Sequence, residues 1–201
     1  MQKRTTVSGS FFVKQTIYGI IYSYKIRNQR RTSMEILYKD MQELNEKDFV
    51  KQMVPAYRDY LDELSLYADK PFDTSDAEIE KVTKGIGSYT YNEIIGIYDG
   101  KKMIGFLIMG TAPNCNPEAD RYIAETFLKK EYRGKGIMTN LIKNYTDKFP
   151  GMYTLFILHR NKPARKYWTK LFTETLNATE YNLQEDNSNE TMKEYAYKIV
   201  H

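Results

Sequence analysis

Apolar residues recur at helical spacing after Asn45, a residue type that commonly caps helices. The pattern predicts a first helix, which Pro55 should kink or split in two because proline lacks an amide hydrogen. A second, acidic helix is predicted from residue 74 or 75 to residue 84, where Gly85 and Gly87 interrupt the pattern. Two neighbouring helices are therefore expected in the first half of the chain.

Strand-like runs occupy the middle of the chain. Four strands are predicted before residue 130, at residues 35–39, 93–98, 102–109 and 122–129. Asp99-Gly100 predicts a tight hairpin turn between the second and third of them. Prolines and asparagines indicate a loop over residues 111–120. The fourth strand then leads into a glycine-rich turn.

Strands and helices alternate after this turn. The predicted elements are a helix from Gly134 to Phe149, a buried strand at residues 152–158, a helix that begins near Asn161 and two final strands at residues 173–183 and 192–200. Pro163 lies in the first turn of the second of these helices, where proline is tolerated. The order of elements indicates an α/β (α+β) fold.

Length and composition indicate one ordinary globular domain. The chain has 201 residues, of which 41% are hydrophobic, 14% aromatic and 28% charged. Cys115 is the only cysteine, so the chain can form no internal disulfide and has no cysteine cluster for zinc. We expect no metal site, and the cysteine content favours a reducing compartment such as the cytoplasm.

The charge is uneven along the chain. Residues 1–34 contain seven Lys or Arg and no acid, which leaves 23 bases and 26 acids in the remainder, a net charge of −3 there. This body has no basic stripe, so we expect no nucleic-acid function. The apolar stretch from Phe11 to Tyr24 contains Lys14 and is too short and polar for a membrane span.

The basic N-terminal segment leaves two interpretations open. Either residues 1–33 form an extension that lies upstream of the true start at Met34 or is disordered, or they form an interfacial docking arm. In both cases the expected domain covers residues 34–201.

The turn Arg133-Gly134-Lys135-Gly136-Ile137-Met138 is suited to binding an anion. Glycines allow consecutive backbone N–H groups to point at one place, and the following helix adds partial positive charge there. A Walker loop needs Ser or Thr after Gly-Lys, where Gly136 stands, and a dinucleotide motif needs a third glycine in place of Thr139. From these residues alone, the segment either binds a diphosphate of another kind or is an ordinary strand-to-helix turn.

The segment from Glu125 to Ile137 resembles the acetyl-CoA-binding core of the GNAT superfamily of acyl-CoA-dependent N-acyltransferases. Asn161, Ala164, the pair Tyr167-Trp168 and Phe172 resemble the second motif of that family. The resemblance covers residues 94–172 well. It implies a mixed, mostly antiparallel sheet, splayed between its fourth and fifth strands and flanked by about four helices, with pantetheine between the splayed strands.

The resemblance also implies which residues bind acetyl-CoA. Main-chain groups of Phe127 and Leu128 would pair with pantetheine, and residues 133–138 would hold the diphosphate. The second motif would contribute Asn161, Ala164 and Trp168. The sequence departs from the family at Glu131, where Gln or Arg is usual, but the contacts there are largely made by backbone groups.

The catalytic residues are less clearly indicated. Trp168 stands where the family usually has the tyrosine that acts as the acid, and tryptophan cannot protonate a thiolate. The neighbouring Tyr167 is the preferred acid; the alternative is that it is one more core tyrosine. Glu125 is the preferred base, expected on one strand face with Ile123 and Phe127, unless it is a solvated strand glutamate and water relays the proton. The alternative base is His159 at the end of the next strand.

The sequence specifies the acceptor poorly. Acidic and aromatic residues that could receive a cationic amine, or be solvated helix faces, are Tyr57, Asp59, Tyr60, Asp62, Glu63, Asp73, Asp76 and Glu78. The expected activity is acetyl transfer to a primary amine of a small molecule or protein by a monomer or homodimer. The alternative is a non-catalytic acyl-CoA-binding module on the same fold.

Overall fold

The computed structural model describes residues 11–15, 20–27, 33–88, 93–110, 118–181 and 192–199. Their strands are β1 (Phe11–Gln15), β2 (Ile20–Arg27), β3 (Ser33–Asp40), β4 (Glu93–Asp99), β5 (Lys102–Gly110), β6 (Arg121–Leu128), β7 (Gly151–Leu158), β8 (Thr179–Tyr181) and β9 (Met192–Ile199). Their α-helices are α1 (Glu46–Ser65), α2 (Asp76–Ser88), α3 (Ile137–Lys148) and α4 (Lys162–Thr169).

The strands form one mixed sheet in the order β1-β2-β3-β4-β5-β6-β7-β9-β8. Every neighbouring pair is antiparallel except β6 and β7, which run parallel. The predicted mixed, mostly antiparallel sheet is therefore confirmed. Because β1 and β2 precede the first predicted strand, the strands predicted as fourth and fifth are β6 and β7. The division of the chain into residues 1–33 and 34–201 stays a prediction.

β6 and β7 separate along their length. Their pairing is limited to residues 121–123 of β6 and 153–155 of β7, so both strands continue for several residues without pairing to each other. On its other side, β6 has an extra residue at Ala124, because Ile123 pairs with Met109 and Glu125 with Ile108. Such a bulge bends a strand and increases its twist. The predicted splay is confirmed.

The helices pack on both faces of the sheet. On one face, α1 and α2 bury a cluster that includes Met53, Tyr57, Ile79, Phe106, Ile108 and Phe127. On the other face, α3 and α4 bury a cluster that includes Leu107, Met109, Ile123, Leu141, Tyr153 and Trp168. The gap between β6 and β7 therefore lies between two helical layers.

Both N-terminal helices continue past the residues expected to interrupt them. Asn45 caps α1 as predicted, accepting the N–H of Asp48 at 3.0 Å, but Pro55 does not split the helix. The prediction that α2 ends before Gly85 was wrong, since it continues to Ser88. A Cβ at Gly87 would approach the Phe49 ring to 3.1 Å, so this glycine permits close helix packing.

The C-terminal part differs from prediction at one boundary. The strand expected from Thr173 begins only at Thr179, because α4 is followed by a π-helical segment, Lys170–Thr175, that buries Leu171 and Phe172. The predicted loop at 185–190 lies outside the described residues, as does most of the loop at 111–120. Among the described helices, none combines the length and apolar character that a membrane span requires.

Candidate active site

A cleft of about 560 Å³ opens where β6 and β7 separate. It is lined by Tyr60, Glu63, Leu64, Tyr67, Thr126, Phe127, Leu128, Arg133, Gly134, Gly136, Ile137, Met138, Thr139, Asn161, Pro163, Ala164, Tyr167 and Trp168. The structure thus brings together, on one surface, all the residues predicted to hold the cofactor except Lys135. The ammonium group of Lys135 lies 5.1 Å from the centre of the Tyr132 ring.

The glycine turn delivers the N-terminus of α3 to this cleft. Gly134 and Gly136 have φ angles of +71° and +76°, a left-handed conformation that side chains disfavour. Gly136 is the N-cap of α3 and has no side chain to accept a helix N–H group. The Tyr38 hydroxyl donates to the Ile137 carbonyl at 2.9 Å and fixes this end of the helix. Backbone N–H groups without a side-chain cap, at the positive end of a helix, suit an anion.

The turn leaves open space beside its glycines. A Cβ built at Gly134 would meet no atom within 4 Å, and one at Gly136 would meet only Asn140 Nδ2, at 3.7 Å. Backbone conformation, and not crowding by this chain, is therefore what requires glycine at both positions.

An ion pair joins the turn to α1. The guanidinium group of Arg133 donates to both carboxylate oxygens of Glu63, at 2.7 and 2.6 Å, and its Nε donates to the Leu128 carbonyl at 2.7 Å. One helical turn earlier, Asp59 accepts from Lys129 Nζ at 2.6 Å. The C-terminal half of α1 is thereby held against the end of β6.

The second wall of the cleft comes from α4. Asn161 caps this helix, accepting the N–H of Ala164 at 3.1 Å. Tyr167 and Trp168 both line the cleft, with ring centres 5.1 Å apart in an edge-to-face arrangement. The Tyr167 hydroxyl lies 3.4 Å from Thr139 Oγ1, and burial raises the pKa of Tyr167. Trp168 is the more buried of the two and stacks on Phe172.

Glu125, the predicted base, is not among the residues that line the cleft, although the next residue, Thr126, is; its carboxyl group faces α1. Its Oε1 accepts a hydrogen bond from the Tyr57 hydroxyl at 2.9 Å, and its Oε2 is buried without a hydrogen-bond partner among the described residues. Burial raises the pKa of Glu125 to about 7, and the Tyr57 hydrogen bond opposes this rise. A carboxyl group with this pKa can accept a proton near neutral pH.

One part of the Glu125 prediction was wrong. Glu125 shares a strand face with Phe127, as expected, but Ile123 packs on the opposite face of the sheet. The bulge at Ala124 interrupts the two-residue alternation between these positions.

The residues predicted for the acceptor are largely engaged with other groups. Ion pairs join Asp59 to Lys129, Glu63 to Arg133, Asp76 to Arg58 and Glu78 to Lys81. Asp73 accepts the N–H of Ser75. Of this set, Tyr60 and Glu63 line the cleft. His159, the alternative base, is exposed and does not line the cleft.

Sequence reasoning did not identify Leu64, Tyr67 and Thr139 as cleft residues. Leu64, in the last turn of α1, and Tyr67, just after it, continue the helical face of Tyr60 and Glu63, a spacing that could have indicated them. Thr139 lies in the first turn of α3, directly after the predicted diphosphate segment. The sequence carries no comparable signal for the partners of Arg133 and Glu125.

The family model of the acetyltransferase (GNAT) family matches residues 39–172. This match covers more than half of the chain, and the chain belongs to the GNAT family. Family membership supports acyltransferase activity at the level of the family. No curated protein sequence matches the chain significantly.

Solved structures share the fold at low sequence identity. A protein of Pyrococcus horikoshii has 13% identity and a TM-score of 0.57, with 83% of this chain and 99% of that chain covered. The diaminobutyrate acetyltransferase of Paenibacillus lautus, solved with L-2,4-diaminobutyric acid and coenzyme A, has 13% identity and a TM-score of 0.55, with 82% and 95% covered. An acetyltransferase of Thermus thermophilus has 11% identity and a TM-score of 0.54, with 78% and 94% covered.

Proposed function

We propose that this protein is an N-acetyltransferase that moves the acetyl group of acetyl-CoA directly to a primary amine of a small molecule or protein. The observation that carries the proposal is the N-terminus of α3, which has no side-chain cap and where the left-handed Gly134 and Gly136 line the cleft. A diphosphate is the anion that several amide groups at one helix end accommodate well.

The residues present fit acetyl-CoA along the whole cleft. Residues 133–138 would hold the diphosphate, and main-chain groups of Phe127 and Leu128 would pair with pantetheine. Asn161, Ala164 and Trp168 would form the opposite wall. The Leu128 carbonyl accepts from Arg133 Nε but retains a second lone pair. When bound, acetyl-CoA supplies a thioester that an amine can attack.

The chain's own groups supply proton transfer and polarisation. Glu125 would take the proton of the amine through Oε2, which has no other partner among the described residues. The backbone N–H near Leu128 would polarise the thioester carbonyl, and loss of one such donor typically costs about 3 kcal/mol of barrier. The hydroxyl of Tyr167, at the cleft surface, would return a proton to the leaving thiolate.

Calorimetric titration with acetyl-CoA, followed by a thiol-release assay against a panel of amines, tests the proposal. We expect saturable binding and turnover with at least one primary amine. Binding without turnover on any amine would favour the non-catalytic module. Absence of binding would exclude both, since both depend on the same cleft.

A Glu63 variant tests whether the ion pair between Glu63 and Arg133 competes with acetyl-CoA for Arg133. Glu63→Gln should tighten CoA binding by up to about fivefold, the factor that corresponds to the roughly 1 kcal/mol upper end for an exposed ion pair, because Arg133 becomes free to face the diphosphate. Asp59→Asn is the control, since it removes the same charge from α1 but frees Lys129, which does not line the cleft. Weaker binding by Glu63→Gln alone would show that the pair maintains the shape of the turn.

A further inference from the structure

The two oxygens of the Glu125 carboxyl group have different surroundings. Oε1 accepts the Tyr57 hydroxyl at 2.9 Å, whereas Oε2 is buried and has no hydrogen-bond partner among the described residues. A buried carboxylate oxygen without a partner is unfavourable for stability. Such an atom needs an explanation, and a role in accepting a proton provides one.

Tyr57 is held firmly in place. It is only 4% exposed and lies on the buried face of α1 with Met53 and Leu61. Its ring centre is 5.9 Å from that of Phe106 in a stacked arrangement and 5.5 Å from that of Tyr60. Because the ring is buried and packed against these two rings, its hydroxyl is held at Glu125.

We propose that Tyr57 is a positioning residue for acetyl transfer: its hydroxyl fixes Oε1 of Glu125 and thereby leaves Oε2 as the atom that accepts the proton of the amine. This inference rests on the proposed function. In the step concerned, an N–H bond of the amine breaks, an O–H bond forms at Oε2, and the electron pair stays on nitrogen for attack on the thioester.

Tyr57 is the neighbouring side chain that lowers the pKa of Glu125. The titratable groups of the described residues that interact with it are the hydroxyls of Tyr57 and Tyr60, both on α1. β5 presents Phe106 and Ile108 to the same face. Burial raises the pKa of Glu125, and the hydrogen bond from Tyr57 lowers it, because a donor stabilises the ionised form.

Tyr57→Phe tests the proposal because it keeps the ring and removes only the hydroxyl. The matched control is Tyr98→Phe, a tyrosine of the same apolar cluster that is 2% exposed; its hydroxyl donates to Gln52 of α1 at 2.6 Å, lies 3.1 Å from Met41 Sδ and makes no hydrogen bond with Glu125. Both variants remove a tyrosine hydroxyl that links the sheet to α1 by a hydrogen bond. A purely structural effect would therefore be similar in the two.

Carbon NMR of the Glu125 carboxyl group measures its titration midpoint without acetyl-CoA or an amine. We expect its titration midpoint to rise by about one pH unit in Tyr57→Phe, as loss of a hydrogen bond to a charged group implies, and to stay unchanged in Tyr98→Phe. The acidic limb of kcat/KM should move by the same amount. The rate of Tyr57→Phe at pH 7 should then fall about fivefold and recover above about pH 9.

Several results would overturn the inference. An unmoved midpoint in Tyr57→Phe would show that the hydroxyl does not control Glu125. A moved midpoint with an unmoved acidic limb would show that Glu125 does not accept the proton. If the wild type binds CoA but acetylates no amine, the proposed function fails, while the NMR titration still decides whether Tyr57 controls Glu125.

Discussion

Gly136→Val is expected to weaken CoA binding by about 100-fold or more. The φ angle of +76° at this position is unfavourable for any side chain by roughly 1–2 kcal/mol, and most of all for a β-branched one. The turn should relax to a negative φ, which would rotate the amide groups away from the anion. Hydrogen bonds to a charged group are worth about 1.5–3 kcal/mol each, so loss of one or two accounts for this factor.

The fold should survive this substitution. A Cβ at position 136 would meet only Asn140 Nδ2, at 3.7 Å, so no buried contact is disrupted. Gly100→Val is the matched control: Gly100 has a φ angle of +59°, a Cβ there would meet nothing within 4 Å, and it lies in the hairpin turn between β4 and β5. It should show the same backbone strain without effect on the cleft.

Calorimetric titration with CoA and thermal unfolding of both variants check the prediction. We expect similar losses of thermal stability in the two and a loss of affinity in Gly136→Val only. Unchanged affinity in Gly136→Val would contradict the assignment of the α3 N-terminus as the diphosphate site. Gly134→Val, at a φ angle of +71°, should behave like Gly136→Val.

Features that the sequence predicts correctly are encoded within a few residues. A left-handed glycine, a capping side chain or a proline in a first turn acts on its immediate neighbours. Consequently Asn45 and Asn161 could be placed at helix starts and Asp99-Gly100 at a hairpin turn from the sequence alone, whereas the helix predicted from Gly134 begins three residues later, at Ile137.

Features that the sequence could not supply depend on tertiary packing. Arg133 and Glu63 are 70 residues apart in the chain, and Tyr57 and Glu125 are 68 apart, so no local pattern connects them. Likewise, Gly87 is a residue type that commonly ends helices, but here it lies within α2 and allows the close approach of Phe49. Local propensity was overridden there by the packing of α2 against α1.

The bulge at Ala124 explains why correct strand bounds did not give the correct sheet face for every residue of β6. The strand was predicted within one residue of its observed bounds, yet Ile123 and Glu125 face opposite sides of the sheet. An inserted residue leaves the composition of a strand unchanged while shifting its alternation. The face of the sheet on which Glu125 lies could therefore be determined only from the pairing register of β6 with β5.

Glu125→Gln is expected to lower kcat/KM by about 100-fold or more at pH 8, the range typical for loss of a general base. The amide keeps the size of the side chain and can still accept from Tyr57, but it cannot take up a proton from an amine. The remaining activity should lose the acidic limb near pH 7 that Glu125 imposes on the wild type. A variant that retains this limb would assign it to another group.

The same substitution should change the pH dependence of stability. Burial raises the pKa of Glu125 from its ordinary value of 4.5 to about 7, so the folded protein keeps this proton to a higher pH than the unfolded chain does. The wild-type free energy of unfolding therefore loses a contribution as the pH rises from 4.5 to 7, about 3 kcal/mol in all. Glu125→Gln has no proton to release and should not show this loss.

Urea unfolding of both proteins between about pH 4.5 and pH 8 measures the difference directly. The free energy of unfolding of Glu125→Gln relative to wild type should increase by about 3 kcal/mol across this range. A constant offset from burying the amide N–H group would shift both ends equally and leave the increase intact. A difference independent of pH would show that Glu125 ionises at its ordinary pKa, and it could then act as a base only weakly at neutral pH. The inverse relation between stability and activity at this one residue follows because the burial that makes Glu125 a useful base also makes its charge unfavourable in the folded state.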